Sequence, residues 1–88
     1  MHKSQKMLVD EITLASKLVK VGENYRHYKQ PDNLYKVLNL AITEADDSLC
    51  VIYQACYGEE LIFVRPLESW LETVKWNGKL VKRFSLVN

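Results

Sequence analysis

The sequence predicts a mainly β protein: a small, strongly bent antiparallel barrel of five or six strands, preceded by an amphipathic helix. Three observations carry this expectation. Apolar residues at helical spacing are confined to the stretch before Gly22. Beyond it, short runs rich in β-branched and aromatic residues alternate with turn signals, ending in Asn77-Gly78, one of the strongest two-residue hairpin signals. One of those runs, Leu49 to Tyr57, is apolar on both parities, as a strand covered on both faces should be.

From Ser4 to about Lys20, Leu8, Ile12, Ala15 and Val19 fall on one helical face, with Met7, Leu14 and Leu18 alongside. Ser4 is a suitable N-cap, and Gly22 a suitable stop. Asp10 and Glu11 lie early and Lys17 and Lys20 late, as the helix dipole favours. So short a helix is marginal alone, so its apolar stripe must be buried on the barrel or on a partner. Tyr25–Lys29 reads as a first strand and Gln30-Pro31-Asp32-Asn33 as a turn. Leu34–Thr43 reads as a second strand, with Asn39 at a candidate bulge. Ala45-Asp46-Asp47-Ser48 is turn chemistry. Leu49–Tyr57 and Leu61–Arg65 follow as strands around Gly58-Glu59-Glu60, and Pro66 ends the second of them. Pro66–Leu71 suggests a short helical turn, and Thr73–Trp76 and Leu80–Leu86 flank the hairpin turn. The division is therefore a helical segment over residues 1–22 and a barrel domain over 23–88. The doubly apolar third strand needs a cover on its outer face, and the N-terminal helix is the available one, with a symmetric partner as the other.

With 88 residues the chain is one small domain with a thin core. A formal net charge of +1 argues against bulk electrostatic attraction to nucleic acid. The charges are nevertheless segregated, acidic from Glu44 to Glu60 and basic through Lys75, Lys79, Lys82 and Arg83. Cys50 and Cys56, six positions apart on one strand, stand roughly 20 Å apart, too far for the ~4.4–6.8 Å of a disulfide. Free thiols suit a reducing cytoplasm. No signal peptide or membrane span is visible. The histidines and cysteines lack paired metal-ligand spacing, the few glycines build no phosphate loop, and no nucleophile stands beside a base. No cofactor, metal or catalytic residue is expected.

The chemically unusual stretch is Asn24-Tyr25-Arg26-His27-Tyr28-Lys29-Gln30, together with Val64-Arg65-Pro66. One reading is a rim in which Arg26 and Arg65 grip an anion, Tyr28 stacks a ring and His27 titrates near neutrality. The other is a buried polar network, with the tyrosines in the core, Arg26 paired to a carboxylate and His27 bonded to the backbone. Lys75, Trp76, Lys79, Lys82 and Arg83 interleave cations with an aromatic, as a weak nucleic-acid surface would. Lysines that guard an edge strand against further pairing look the same, and that reading is preferred.

Tyr25-Arg26-His27-Tyr28-Lys29, Tyr35, Val37-Leu38, Ala41, Leu49, Val51-Ile52-Tyr53, Tyr57-Gly58, Val64-Arg65-Pro66, Trp70, Glu72-Thr73-Val74, Gly78 and Arg83-Phe84 occur in this order. In that pattern the chain resembles the bacterial domain-of-unknown-function family 1653, from about residue 24 to 88. The resemblance implies an SH3-like barrel and no particular activity. Where the family pattern usually carries His-Ser-Glu-Thr, this chain has Thr43, Glu44, Ala45 and Asp46; its usual glycine in the preceding strand is Asn39, and the turn after Lys29 is longer by two. The helix lies outside the resemblance. The expectation is thus a cytoplasmic binding module rather than an enzyme, taking a protein partner or small anionic ligand at Arg26, His27, Tyr28 and Arg65. The alternatives are nucleic-acid binding by the C-terminal hairpin, and a purely structural domain that dimerises through its helix.

Overall fold

A computed structural model describes residues 2–87. The chain runs α1 (Gln5–Leu18), β1 (Asn24–His27), β2 (Gln30–Thr43), β3 (Ser48–Ala55), β4 (Ile62–Pro66), α2 (Leu67–Leu71), β5 (Thr73–Trp76), β6 (Lys79–Lys82) and β7 (Phe84–Leu86). It is mainly β with an N-terminal helix, as its alternating pattern requires. All strand pairs are antiparallel, in one sheet ordered β4-β3-β2-β1-β7 and a separate hairpin β5-β6. Backbone hydrogen bonds do not join these sheets into a closed barrel.

Local chemistry accounts for most element ends. Ser4 Oγ accepts the Met7 backbone N–H at 3.2 Å and starts α1. The helix stops earlier than expected, at a Val19 cap, and Gly22 (φ 89°) turns the chain afterwards while donating its N–H to the Val37 carbonyl. Between β1 and β2 the turn is Tyr28-Lys29, not Gln30–Asn33. The pairing jumps from Arg26↔Leu34 to His27↔Gln30, so Pro31 sits in an irregular segment where its missing donor costs no ladder bond. The anticipated bulge on β2 is present: the register shifts between Val37 and Asn39, and Asn39 Oδ1 accepts the Leu40 N–H at 2.9 Å. Asn77 and Gly78 both have positive φ, the conformation of a tight hairpin turn.

Two expectations need correcting. The last strand is two strands, because the chain changes sheets at Arg83, whose N–H bonds to Glu72 and whose carbonyl accepts from Tyr28. The described residues therefore form seven strands rather than five or six. The second correction concerns α1, which does not cover the outer face of β3. Paired residues share a face, so Tyr35, Val37, Leu40, Val51 and Tyr53 lie together, and Ala15 of α1 and its cap residue Val19 pack into that same cluster. Tyr25, Trp70 and Phe84 complete it, with the Trp70 and Phe84 rings stacked 3.8 Å apart. The opposite face carries Cys50, Ile52 and, on β4, Val64. Among the described residues no helix is long and apolar enough to cross a membrane.

Candidate functional site

The core sheet places four ring-bearing strands around one end of the aromatic cluster. Tyr25 and Tyr35 are cross-strand partners, and His27 pairs with Phe84, so His27 follows Tyr25 onto the core face. β3 contributes Tyr53, and β4 contributes Arg65 on the same face. Between them lies a cleft of about 250 Å³ lined by His27, Lys29, Gln30, Tyr35, Tyr53, Arg65 and Phe84.

Arg65 is the central group. Its Nε donates to the Tyr53 hydroxyl at 3.4 Å and its Nη1 to Ser69 Oγ at 2.9 Å, while the guanidinium carbon stands 5.3 Å from the centre of the Phe84 ring. These partners are all neutral. Among the described residues no carboxylate pairs with Arg65, whereas Arg83 nearby is neutralised by Glu72 at 2.6 Å. A half-buried cation held by hydroxyls and an aromatic face is positioned without being neutralised.

His27 borders this charge. Its ring packs 4.6 Å from Tyr28 and edge-on to Phe84 at 5.1 Å. Its Nδ1 accepts the Lys29 backbone N–H at 3.2 Å, which puts the proton of the neutral ring on Nε2, a donor with no partner among the described residues. Burial, followed by the positive charges of Arg65, Arg83 and Lys29, pushes its pKa below the ordinary 6.5. On the other wall Tyr35 shares a short 2.6 Å hydrogen bond with the Tyr57 hydroxyl. Burial, then that bond, raises the Tyr35 phenol to about 12, so it remains a neutral donor or acceptor.

Three of the four anticipated rim residues gather here. His27 and Arg65 line the cleft, and Tyr28 backs His27 while meeting Trp76 edge-on at 5.2 Å. Arg26 does not join them. It pairs with Leu34 and Ser85, so its side chain leaves from the opposite face of the sheet and is exposed. Among the described residues it pairs with no carboxylate, and it stands on the opposite face of the sheet from Arg65. Tyr35, Tyr53 and Ser69 are additions that reading the chain did not identify as site residues. Their parity is legible, but their meeting depends on strand register and on α2.

The C-terminal hairpin distributes its cations. Thr73↔Lys82 and Lys75↔Leu80 share one face, while Trp76↔Lys79 and Val74↔Val81 share the other. Lys75 and Lys82 therefore point away from Trp76, and Arg83 is occupied by Glu72 and by the Ser69 carbonyl at 3.0 Å. Of the hairpin lysines, Lys79 alone shares the face of Trp76. The Thr43–Asp46 turn lies at the other end of the β2–β3 hairpin from the cleft, eight residues along β2, or roughly 25 Å. There Asp46 caps Ser48, and Asp47 accepts from His2 Nδ1 at 2.9 Å and the Lys3 N–H at 2.6 Å. The His2 bond leads the causes that hold the Asp47 carboxyl below its ordinary range.

Residues 23–86 match the family described as "Protein of unknown function (DUF1653)". Among solved structures, the chain is similar to a crystal structure of a DUF1653 protein from Bordetella bronchiseptica, with 32% identity and a TM-score of 0.66 over 75% of this chain and 85% of that one. No curated protein matches.

Proposed function

The chain belongs to the DUF1653 family, and from the cleft around Arg65 we propose that it is a small binding module recognising an anionic group. The observation that carries this reading is the guanidinium of Arg65, which is fixed by neutral partners and faces a cleft flanked by further positive charge. No carboxylate pairs with it among the described residues, so its charge is left to a guest.

The cleft sets the size of the guest. At about 250 Å³ it lies below the ~300–1,000 Å³ of drug-sized pockets. It suits a carboxylate or phosphate bearing at most a small ring, whether free or at the tip of a larger molecule. Arg65 supplies charge and directed donors, His27 Nε2 a further donor, and the Tyr35 and Tyr53 hydroxyls adaptable partners. Phe84 and Tyr53 form an apolar floor against which a planar substituent can lie.

Two-dimensional NMR titration with benzoate, and separately with inorganic phosphate, tests the proposal. Saturable shifts at Arg65, His27 and Tyr35 are expected, with affinity weakened about tenfold or more in Arg65→Gln. Absence of saturable shifts for both probes, or shifts unaltered by Arg65→Gln, refutes it.

A further inference from the structure

We infer that the free edge of β4 is a self-association site, on which a second copy of this chain adds its own β4 antiparallel to form one sheet through both molecules. In the main sheet β4 is terminal, and among the described residues no strand lies on its outer side. One row of its backbone donors and acceptors is therefore open to a further strand.

The protections that blunt an edge are only partial here: β4 is five residues long, ends on Pro66 and carries one inward-facing charge, but it has neither a bulge nor a lysine. The pairing of β4 with β3 runs without a bulge from Gln54↔Ile62 to Cys50↔Pro66, and proline comes only at its last residue. Its one cation, Arg65, faces the core side and is held by Tyr53 and Ser69. What the edge offers is Leu61-Ile62-Phe63-Val64, with Ile62 60% and Val64 64% exposed. The β5-β6 hairpin, by contrast, carries Lys75, Lys79 and Lys82.

The sequence of the edge favours a copy of itself over an unrelated strand. An antiparallel pair with its two-fold axis at Phe63 sets that residue against its own copy on the core side. On the outer side it sets Ile62 against Val64, and Val64 against Ile62. The strand is apolar and self-complementary at every central position, as an isologous contact requires. A net charge of +1 gives little repulsion between copies. The same pairing extends the outer apolar patch of Ile52 and Val64, which α1 leaves uncovered. Four side chains about half exposed bury on the order of 400 Å² per copy, half the ~800 Å² of a standard interface. An interface of this size falls among the weak, transient ones, and a dissociation constant on the order of 100 μM is the expected outcome.

Sedimentation equilibrium from about 10 μM to about 1 mM reads this directly, bracketing that constant. Reversible monomer–dimer exchange is expected, weakened at least tenfold by Val64→Lys and equally by Ile62→Lys, both at exposed positions that leave the core intact. Leu18→Lys, on the exposed side of α1, should leave the equilibrium unchanged. Circular dichroism establishes that each variant is folded, and either β4 variant suffices if the other is not. A wild-type monomer throughout, growth beyond two copies, or a dimer abolished by Leu18→Lys but insensitive to the β4 variants overturns the inference.

Discussion

His27 is the residue through which the cleft should respond to pH. Its neutral form is favoured in the folded protein, by burial first and then by Arg65, Arg83 and Lys29, so its folded pKa lies below the unfolded value near 6.5. Between those two values the unfolded chain binds more protons. This contribution to stability is therefore intact above about pH 6.5 and is lost as pH falls through the folded pKa. A bound anion reverses the local preference by favouring imidazolium. Benzoate affinity should consequently rise as pH falls from 7 through this window, and His27→Gln should flatten the rise. An NMR titration of the histidine ring, with and without benzoate, checks the sign: the ring pKa must move up on binding. Arg26 teaches the complementary lesson at this scale. It is as conspicuous in the sequence as Arg65, yet alternation along β1 sends it to the other side of the sheet, away from the cleft.

At the scale of elements, α1 shows how a helix divides its duties. Ala15 and Val19 are buried and enter the core beside Val37 and Val51, while Leu14 and Leu18 are more than 60% exposed. Val19→Ala should thus cost about 2 kcal/mol of unfolding free energy, whereas Leu18→Ala should change it by less than about 0.5 kcal/mol. Urea denaturation of the two variants separates them, and equal losses would contradict this placement of the helix. Legibility follows the same division. The cap at Ser4, the stripe through Leu8, Ile12, Ala15 and Val19, and the turn at Asn77-Gly78 depend on neighbours within a few residues, and each was readable. The side of the sheet that α1 covers depends on how β2 and β3, separate elements further along the chain, pair and pack, and was not.

For the whole molecule, stability is concentrated in one aromatic cluster that ties α1, α2 and four strands together. Trp70 and Phe84 stack nearly parallel, and Tyr25 and Tyr53 meet Trp70 edge-on at 5.4 and 4.9 Å. Phe84 also forms the floor beneath Arg65 and His27, so the core and the cleft share a wall. Phe84→Ala should remove about 3–5 kcal/mol, a large share of the ~5–15 kcal/mol available to a domain. Thermal melts followed by near-ultraviolet dichroism should show a fall of many degrees, and a midpoint close to the parent's would mean that the stack contributes little.

The helix, the positions of most turns, the mainly β character of the rest and the family resemblance are legible in the chain alone, because these follow from spacing, turn chemistry and residue identity along a short window. Packing in three dimensions makes the chain change sheets at Arg83, lays α1 on the core face, and leaves β4 with an open edge. It also decides that Arg65 meets His27, Tyr35 and Tyr53 while Arg26 does not. The physical reason is common to all of these. Parity along a strand is local, but the partner strand, its register and its bulges are chosen by packing between distant segments, and one residue of register exchanges the two faces of a sheet.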